Sequence, residues 1–374
     1  MDDIIDVQLA IQVALSVLML IPVYYWFKMR KIIPREDLVG FDEDDDSRIH
    51  IILPMRNEIK NVERKISSII SEILPHKTVF LTVADSSSND GTGSVAEEFL
   101  ESSSLEDTRW SVDNFEVRGK NVALNGVIDR YEADIFIMSD ADAEVSAGWL
   151  QVVRSRLSEE NIGVVSGIER EKSSGADFSS FYRRKSNWLR INESRLDSTP
   201  VLEGSLLAWK ASSVGSFRFD ERANADDAQI GLYSIKSGYR SIVDPRVTFE
   251  DFENKKRTFL ESIRRAQGLS IALMRNSDLA IMKGRSDARS AIFNAIALYI
   301  FFPWSALFFV INAFIAFSSD PIIGHSWEFY SICFFLIVSM IPQGRSLIIG
   351  SSISIVAHVQ AMIGRRYNNW EPTR

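Results

Sequence analysis

The amino-acid sequence predicts an α/β fold with a mostly parallel sheet, carried between helices that cross a membrane. Over residues 48–253, short apolar runs alternate with helical stretches, which is typical of parallel sheets with crossover helices. Outside that region, residues 7–27 and 291–317 contain no charged side chain, and each is long enough to cross a hydrocarbon core of roughly 30 Å as a helix. A buried core helix is the alternative interpretation of these two segments.

The elements of the α/β region follow one another in a regular order. We predict strands at residues 49–53, 78–83, 135–138 and 162–166, and helices near residues 61–73, 94–100, 122–130 and 149–157. Sheets of this kind bind ligands beyond the carboxyl ends of their strands. Functional side chains are therefore expected directly after the strands.

The chain is expected to have five segments. They are a transmembrane helix at 1–30, an acidic linker at 31–47, the α/β domain at 48–253, interfacial amphipathic helices at 254–289, and a transmembrane or re-entrant region at 290–374. Lys28, Arg30 and Lys31 follow the first apolar segment, so the positive-inside rule places the α/β domain in the cytoplasm. We expect an integral protein of the plasma membrane with three spans, one further apolar segment lying in the interface or re-entering.

Composition excludes several other classes of function. The net charge of -8 argues against nucleic acid as a partner, because such binding needs a clustered basic surface. Cys333 is the single cysteine, so the chain has neither a disulfide pair nor a cysteine zinc site. None of the four histidines is paired with another at ligand spacing.

The most informative motif is Asp140-Ala141-Asp142, directly after the apolar run at 135–138. A buried strand can hold two carboxylates rigidly at the edge of a cleft, and together they can bind a hard divalent cation that neutralises a diphosphate. The same spacing recurs within residues 42–46, where no strand precedes it, and most such acids are solvated loop residues. The preceding strand favours a functional site at Asp140 and Asp142.

Other polar turns follow the other predicted strands. They are Pro54-Met55-Arg56-Asn57-Glu58, the turn from Asp85 to Thr92, and Arg118-Gly119-Lys120. A nucleotide sugar needs hydrogen-bond partners for its base and ribose, such as Asp85, and a cation for its diphosphate, such as Lys120. Taken singly, Asp90-Gly91 is also typical of an ordinary turn, and Lys120 of a solvated helix start.

In their order, these motifs resemble the family-2 glycosyltransferases of the GT-A fold. The resemblance covers roughly residues 51–268 and continues downstream of the acidic turn. The further motifs are Gly204 before Leu206-Leu207-Ala208-Trp209-Lys210, Ala225-Asp226-Asp227, Ser237-Gly238-Tyr239-Arg240, and Glu261-Ser-Ile-Arg264-Arg265-Ala-Gln-Gly268. Ala84 stands where many members have Asp, and Glu261 and Arg265 stand where membrane members have Gln and Trp.

The resemblance implies an inverting transfer of one sugar, dependent on Mg²⁺ or Mn²⁺. Asp227 would be the base, with Asp226 and Arg264 as further catalytic residues, and Asp142 and Asp140 would bind the metal. The implied nucleotide-sugar-binding residues are Pro54, Arg56, Asn57, Glu58, Asp85, Lys120, Asp140, Ala141 and Arg265. The implied partners are a UDP- or GDP-sugar, the lipid bilayer, and a membrane lipid or lipid-linked acceptor with a free hydroxyl.

Several alternatives stay open at the level of sequence. Asp227 could be the N-cap of a helix over residues 228–235 instead of a base, or both. An ionised acceptor such as a polyprenyl phosphate would need no base, and a processive polysaccharide synthase would add many sugars. A sensor that has lost catalysis is a further alternative. Lys255-Lys256-Arg257, with the apolar residues after it, is expected to form an interfacial helix or a solvated basic face.

Overall fold

A computed structural model describes residues 2–31, 46–170, 178–252, 258–319 and 327–365. The chain divides into two compact units. One comprises residues 1–33, 171–189 and 258–366, and the other comprises residues 34–170, 190–257 and 367–374. The acidic linker lies almost wholly outside the described residues, as do Lys255, Lys256 and Arg257.

The strands and helices have the following bounds. The strands are β1 (Ile49–Met55), β2 (Val79–Ser86), β3 (Trp110–Phe115), β4 (Ile135–Ser139), β5 (Ala143–Val145), β6 (Ile162–Glu169), β7 (Leu206–Lys210) and β8 (Arg240–Asp251). The helices are α1 (Asp2–Met29), α2 (Val62–Ile73), α3 (Thr92–Glu101), α4 (Lys120–Arg130), α5 (Trp149–Ser158), α6 (Phe178–Leu196), α7 (Ala211–Val214), α8 (Asp226–Lys236), α9 (Phe259–Arg275), α10 (Ser286–Ile296), α11 (Phe302–Ser319), α12 (Trp327–Met340) and α13 (Pro342–Met362).

The α/β unit is built on one eight-stranded sheet with the strand order β3-β2-β1-β4-β7-β6-β8-β5. Strands β3, β2, β1 and β4 are mutually parallel, and β6 is parallel to β8. The predicted strands are all present. The sheet is more mixed than expected, because β7 runs antiparallel to both of its neighbours and β5 runs antiparallel to β8.

The core lies on both faces of the sheet. Every residue of β1 is buried, as expected for a central parallel strand covered by helices on both sides. Helix α2 covers one face with a buried stripe. The stripe consists of Val62, Ile66, Ile69, Ile70 and Ile73 at helical spacing. On the other face Leu124 and Val127 of α4 pack in a second cluster that includes Trp209.

The sheet opens where its strand order reverses. Strand β1 pairs with β2 along its whole length, to Met55 beside Asp85, but its pairing with β4 ends at Ile52 beside Met138. Pro54 lies in the part of β1 that has a partner on one side only, where a residue without a backbone N–H is tolerated. The gap between the ends of β1 and β4 is the switch point at which α/β sheets bind ligands.

The helical unit contains two helices long and apolar enough to cross a membrane, over Val7–Met29 and Ser286–Ala316. The first is α1, whose side chains are mostly exposed. The second comprises α10, a π-helical stretch at Ala297–Phe301, and most of α11. Among the described residues α12 and α13 do not meet that test, so the third span stays a prediction. Asn312 of α11 donates to the side chain of Gln12 in α1 at 2.9 Å.

Candidate active site

The acidic turn predicted from Asp140-Ala141-Asp142 joins β4 to β5. The N–H of Asp140 donates to the carbonyl of Ser205 at 3.2 Å, so the turn is tied to the segment before β7. On its other side, Phe252 donates its N–H to the carbonyl of Asp142 at 2.8 Å. Because the backbone is held at both ends, the carboxylates of Asp140 and Asp142 are projected from a fixed support beside the switch point of the sheet.

Lys120 joins this turn to a second acidic motif. Its Nζ lies 2.7 Å from Oδ1 of Asp140 and 3.0 Å from Oδ2 of Asp226. Burial disfavours the charged ammonium, but the two carboxylates outweigh that effect and raise the pKa of Lys120 above its ordinary value. Gly204 lies beside this ion pair, since a Cβ on Gly204 would lie 3.8 Å from both Lys120 Nζ and Asp226 Oδ2. Residues far apart in the sequence thus meet around one ammonium group.

Asp226 and Asp227 open helix α8. The residue before them, Ala225, occupies the N-cap position in a left-handed conformation with φ 62°, which costs energy for a residue with a Cβ. The N-cap interpretation of Asp227 is therefore wrong, because the helix begins at Asp226, two residues before the predicted start. Asp227 Oδ1 accepts the N–H of Ala228 at 2.7 Å.

The pKa of the Asp227 carboxyl group is raised well above its ordinary value. Removal from bulk water is the largest cause, followed by the charges of Asp226 and Glu203, and together they raise the pKa of Asp227 to about 7. Glu203 pairs with Arg190 and belongs to none of the motifs recognised in the sequence. A carboxylate with a pKa near neutrality can accept a proton efficiently at physiological pH.

Asp142 has no ion-pair partner among the described residues, unlike Asp140 before it and Glu144 after it. Asp140 pairs with Lys120, and Glu144 pairs with Arg64. Desolvation by the surrounding chain, together with the charges of Asp140 and Asp251, raises the pKa of Asp142 to about 6. Taken as a whole residue, Asp142 is nevertheless exposed.

This donor set fits a hard divalent cation bound together with a ligand. Within the described ranges, no group of three His, Cys, Asp or Glu side chains could hold a metal by itself. Mg²⁺ is usually bound by one or two carboxylates, with waters and substrate phosphates as its other ligands. Asp142, with Asp140 two residues before it, supplies that number of carboxylates.

The turns after β1 and β2 are tied to each other. Asn57 donates its N–H to Ser88 Oγ at 2.9 Å, and its Oδ1 accepts the N–H of Asn89 at 2.9 Å. Ser88 in turn donates both its hydroxyl and its N–H to Asp85 Oδ1. Asn57 and Ser87 both have positive φ, at 52° and 58°. Strained non-glycine residues of this kind cluster at functional sites.

The side chain of Asp85, at the end of β2, packs closely against the backbone of Gly93. A Cβ on Gly93 would lie 2.8 Å from Asp85 Oδ2, so only glycine leaves room for this carboxylate. The next residue, Ser86, accepts the N–H of Gly119 at 2.8 Å, which ties the end of β2 to the residue before Lys120. The end of β2 is thereby linked to the start of α4.

One residue near the acidic turn escaped the sequence analysis. Lys65 of α2 is fully buried and donates to Ser139 Oγ at 2.7 Å and to the carbonyl of Ala143 at 2.6 Å. Burial lowers the pKa of Lys65 to about 8, although the charges of Asp140, Asp142 and Glu144 oppose that shift. A lysine on the apolar face of the predicted helix at 61–73 was the available signal.

The structure brings together part of the predicted set. Lys120, Asp140 and Asp226 are in direct contact, with Ala141, Asp142 and Asp227 adjacent to them in the chain. Pro54, Arg56, Asn57, Glu58 and Asp85 lie at the ends of β1 and β2. Arg264 and Arg265 lie on α9 of the helical unit, and their roles stay predictions.

The α/β sheet carries paired acids and a lysine at its switch point, and part of the chain matches a known family. Residues 50–210 match the family described as Glycosyl transferase family 2. The match covers less than half of the chain, and it agrees with the resemblance inferred from the motifs.

The chain is also similar to two known proteins. Glycosyltransferase AglE of Haloferax volcanii is 25% identical over 119 residues, which are 32% of this chain and 38% of that relative. The mannosyltransferase PcManGT from Pyrobaculum calidifontis, solved in complex with GDP-Man and Mn²⁺, superposes with a TM-score of 0.80 at 23% identity. The superposition covers 96% of this chain and 99% of that one, and it confirms the GT-A fold.

Proposed function

We propose that this protein transfers a single sugar from a nucleoside-diphosphate sugar to a hydroxyl group of a membrane lipid or lipid-linked acceptor, with inversion at the anomeric carbon. The observation that carries the proposal is the contact of Lys120 with both Asp140 and Asp226. It brings the acids of the β4–β5 turn and those of α8 to one place beside the switch point of the sheet. A donor diphosphate and an acceptor hydroxyl must meet in such a place.

The donor half of the proposed site lies at the ends of β1, β2 and β4. Asp85 would accept hydrogen bonds from the base or ribose, and Lys120 would contact the diphosphate as a cation. Asp142 and Asp140 would hold Mg²⁺ or Mn²⁺, which when bound stabilises charge on the departing nucleoside diphosphate. The raised pKa of Asp142 comes first from desolvation and then from the charges of Asp140 and Asp251. It supports this role, because a bound cation would stabilise a carboxylate in such surroundings.

Asp227 is the proposed base. Its pKa of about 7 leaves a substantial fraction ionised at neutral pH and still able to take a proton. It would accept the proton of the acceptor hydroxyl while that oxygen attacks the anomeric carbon and the bond to the nucleoside diphosphate breaks. Asp226 is already paired with Lys120 and would hold that lysine in place. A phosphate acceptor is already ionised, so a base in this position favours a hydroxyl acceptor.

The proposed partner of the helical unit is a bilayer. The ring of Trp26, near the end of α1, lies 4.8 Å from the guanidinium of Arg30 and 5.3 Å from the ammonium of Lys185. Aromatic rings with nearby cations are typical of the boundary between acyl chains and headgroups. Phe259 and Leu260 at the start of α9 are exposed, as expected for an interfacial helix. The cations after α1 favour a cytoplasmic α/β domain, and we propose the plasma membrane as its location.

The test is a transfer assay with purified full-length protein in detergent, total membrane lipid, Mn²⁺ and a panel of UDP- and GDP-sugars that includes GDP-mannose. Mass spectrometry of the lipid product reports donor and acceptor together. We expect one sugar on a lipid hydroxyl. A sugar on a polyprenyl phosphate or a ladder of products would replace this proposal with one of its alternatives, and no nucleotide release with any donor would contradict enzymatic activity.

A further inference from the structure

The acidic turn rests on a buried lysine. Lys65 lies on the covered face of α2, among isoleucine and valine side chains, and is fully shielded from water. Its ammonium donates to Ser139 Oγ at 2.7 Å, directly before the turn, and to the carbonyl of Ala143 at 2.6 Å, directly after Asp142. One group therefore holds both ends of the segment that carries the two carboxylates.

The contact extends to the segment before β7. Ser139 Oγ donates to the carbonyl of Ser205 at 2.8 Å, and that same carbonyl accepts the N–H of Asp140. Lys65, Ser139 and Ser205 thus form a continuous chain of hydrogen bonds beneath the turn. Gly204, at the end of this chain, lies close to both Lys120 and Asp226.

Packing alone does not account for a lysine at this position. A buried ammonium loses its hydration, and an apolar residue of similar volume at such a place is often neutral or stabilising. Here the negative charges of Asp140, Asp142 and Glu144 act on the ammonium and favour its protonated form. The interactions that favour a lysine here are therefore those with the turn and its carboxylates, and not those with the apolar core.

We propose that Lys65 is a positioning residue whose ammonium fixes the segment from Ser139 to Ala143 from beneath, so that the carboxylates of Asp140 and Asp142 are preorganised for a divalent cation. The inference rests on the proposed function, because it concerns the same metal site. Lys65 contacts neither the donor nor the cation in this role. Groups that orient metal ligands from behind typically change metal affinity by about 10–100-fold when they are replaced.

The experiment measures Mn²⁺ binding to the full-length protein in detergent by electron paramagnetic resonance, in the presence of saturating GDP or UDP and without turnover. The test variant is Lys65→Met, which keeps the length and apolar character of the side chain. The matched control is Arg109→Met. Arg109 is also a buried cation, and it donates to the carbonyls of Ile73, His76 and Val79. It lies beside the start of β2, at the opposite end of that strand from Asp85, roughly 20 Å away along the strand direction.

We expect the Kd of Mn²⁺ to rise roughly tenfold or more in Lys65→Met, and to change less than about twofold in Arg109→Met, whatever the melting temperatures of the two variants. An unchanged Kd in folded Lys65→Met would overturn the inference while leaving the proposed function standing. Absence of Mn²⁺ binding to the unmodified protein with either nucleotide would instead contradict the proposed function, and the inference with it. If Lys65→Met does not fold, Ser139→Ala decides: the Kd should rise roughly fivefold, and no change would overturn the inference.

Discussion

Lys120→Met is expected to lower both stability and activity. The ammonium of Lys120 is in contact with two carboxylates, at 2.7 Å from Asp140 and 3.0 Å from Asp226. Its removal leaves those two acids close to each other, and close to Asp227, with no cation between them. A carboxylate in such surroundings must either be protonated or move toward water, and both responses cost free energy of folding.

The size of the loss follows from how far the three side chains are shielded. Their exposed fractions are 16% for Lys120, 28% for Asp140 and 14% for Asp226, so the pairs lie between surface and core. Breaking a fully buried pair costs about 3–5 kcal/mol, whereas an exposed pair contributes about 0–1 kcal/mol. We expect the free energy of unfolding to fall by about 2–3 kcal/mol, or roughly 5–10 °C in melting temperature for a domain of this size.

The assay compares thermal unfolding and sugar transfer in Lys120→Met and in a control, Lys210→Met. Lys210 donates to the backbone carbonyls of Glu159 and Glu160 at 2.6 and 3.4 Å, and it has no role in the proposed site. We expect kcat/KM to fall by about 10²–10³-fold in Lys120→Met, because a cation beside the diphosphate is lost. The control should retain activity. A Lys120→Met protein that is as stable and as active as the unmodified one would refute the reasoning.

Four further predictions concern the proposed base and the cation. Asp227→Asn should lower transfer by about 10²–10⁴-fold and leave nucleotide binding intact, which turnover and calorimetry would check separately; full turnover would remove Asp227 from this role. The pH profile of kcat/KM should rise up to about pH 7 and then level, since Asp227 is ionised above its pKa of about 7, and a flat profile through that range would contradict this. Because that pKa lies above the ordinary 3.8, the folded state holds the proton more tightly than the unfolded chain does, so stability should fall as the pH rises between those two values. Chemical unfolding of Asp227→Asn should show a shallower slope, to which Asp142, with its pKa raised to about 6, still contributes. Chelation by EDTA should abolish transfer, and either Mn²⁺ or Mg²⁺ should restore it; transfer that persists in EDTA would argue against the metal.

Sequence patterns located the central elements of the fold because burial and periodicity agree there. The runs at β1, β2 and β4 are largely apolar, which is the pattern of strands covered on both faces. Strand β3 was missed because Trp110–Phe115 is only half-buried and contains Asp113 and Asn114 in place of apolar residues. The three-residue strand β5 is too short to have a periodicity at all.

The candidate site was predictable where each motif follows a strand, and unpredictable where it depends on contacts between distant segments. The sequence indicated Lys120, Asp140 and Asp226 as separate motifs, but only the sheet order brings them together. The burial of Lys65 was indicated only by its helical spacing with the apolar residues of α2, and its partners could not be predicted. Its partners, Ser139 and Ala143, are supplied by a strand and turn 74 and 78 residues away in the sequence.

One departure from the family motif has a local explanation. Glu261 stands where the resemblance expects Gln, at the start of α9. It forms a capping box with Thr258: the N–H of Thr258 donates to Glu261 Oε2 at 2.6 Å, and the N–H of Glu261 donates to Thr258 Oγ1 at 3.2 Å. Its side chain is therefore engaged in starting the helix.

The central claim is that the acids of the β4–β5 turn bind a donor diphosphate through a divalent cation. Its most direct test is calorimetric titration of the purified protein with GDP and with UDP, in Mn²⁺ and in EDTA, for the unmodified chain and for Asp142→Asn. We predict that one nucleotide binds at least roughly tenfold more tightly in Mn²⁺ than in EDTA, and that Asp142→Asn removes this difference. Equal affinity with and without Mn²⁺ in the unmodified protein, or a metal dependence that survives in Asp142→Asn, would contradict the account.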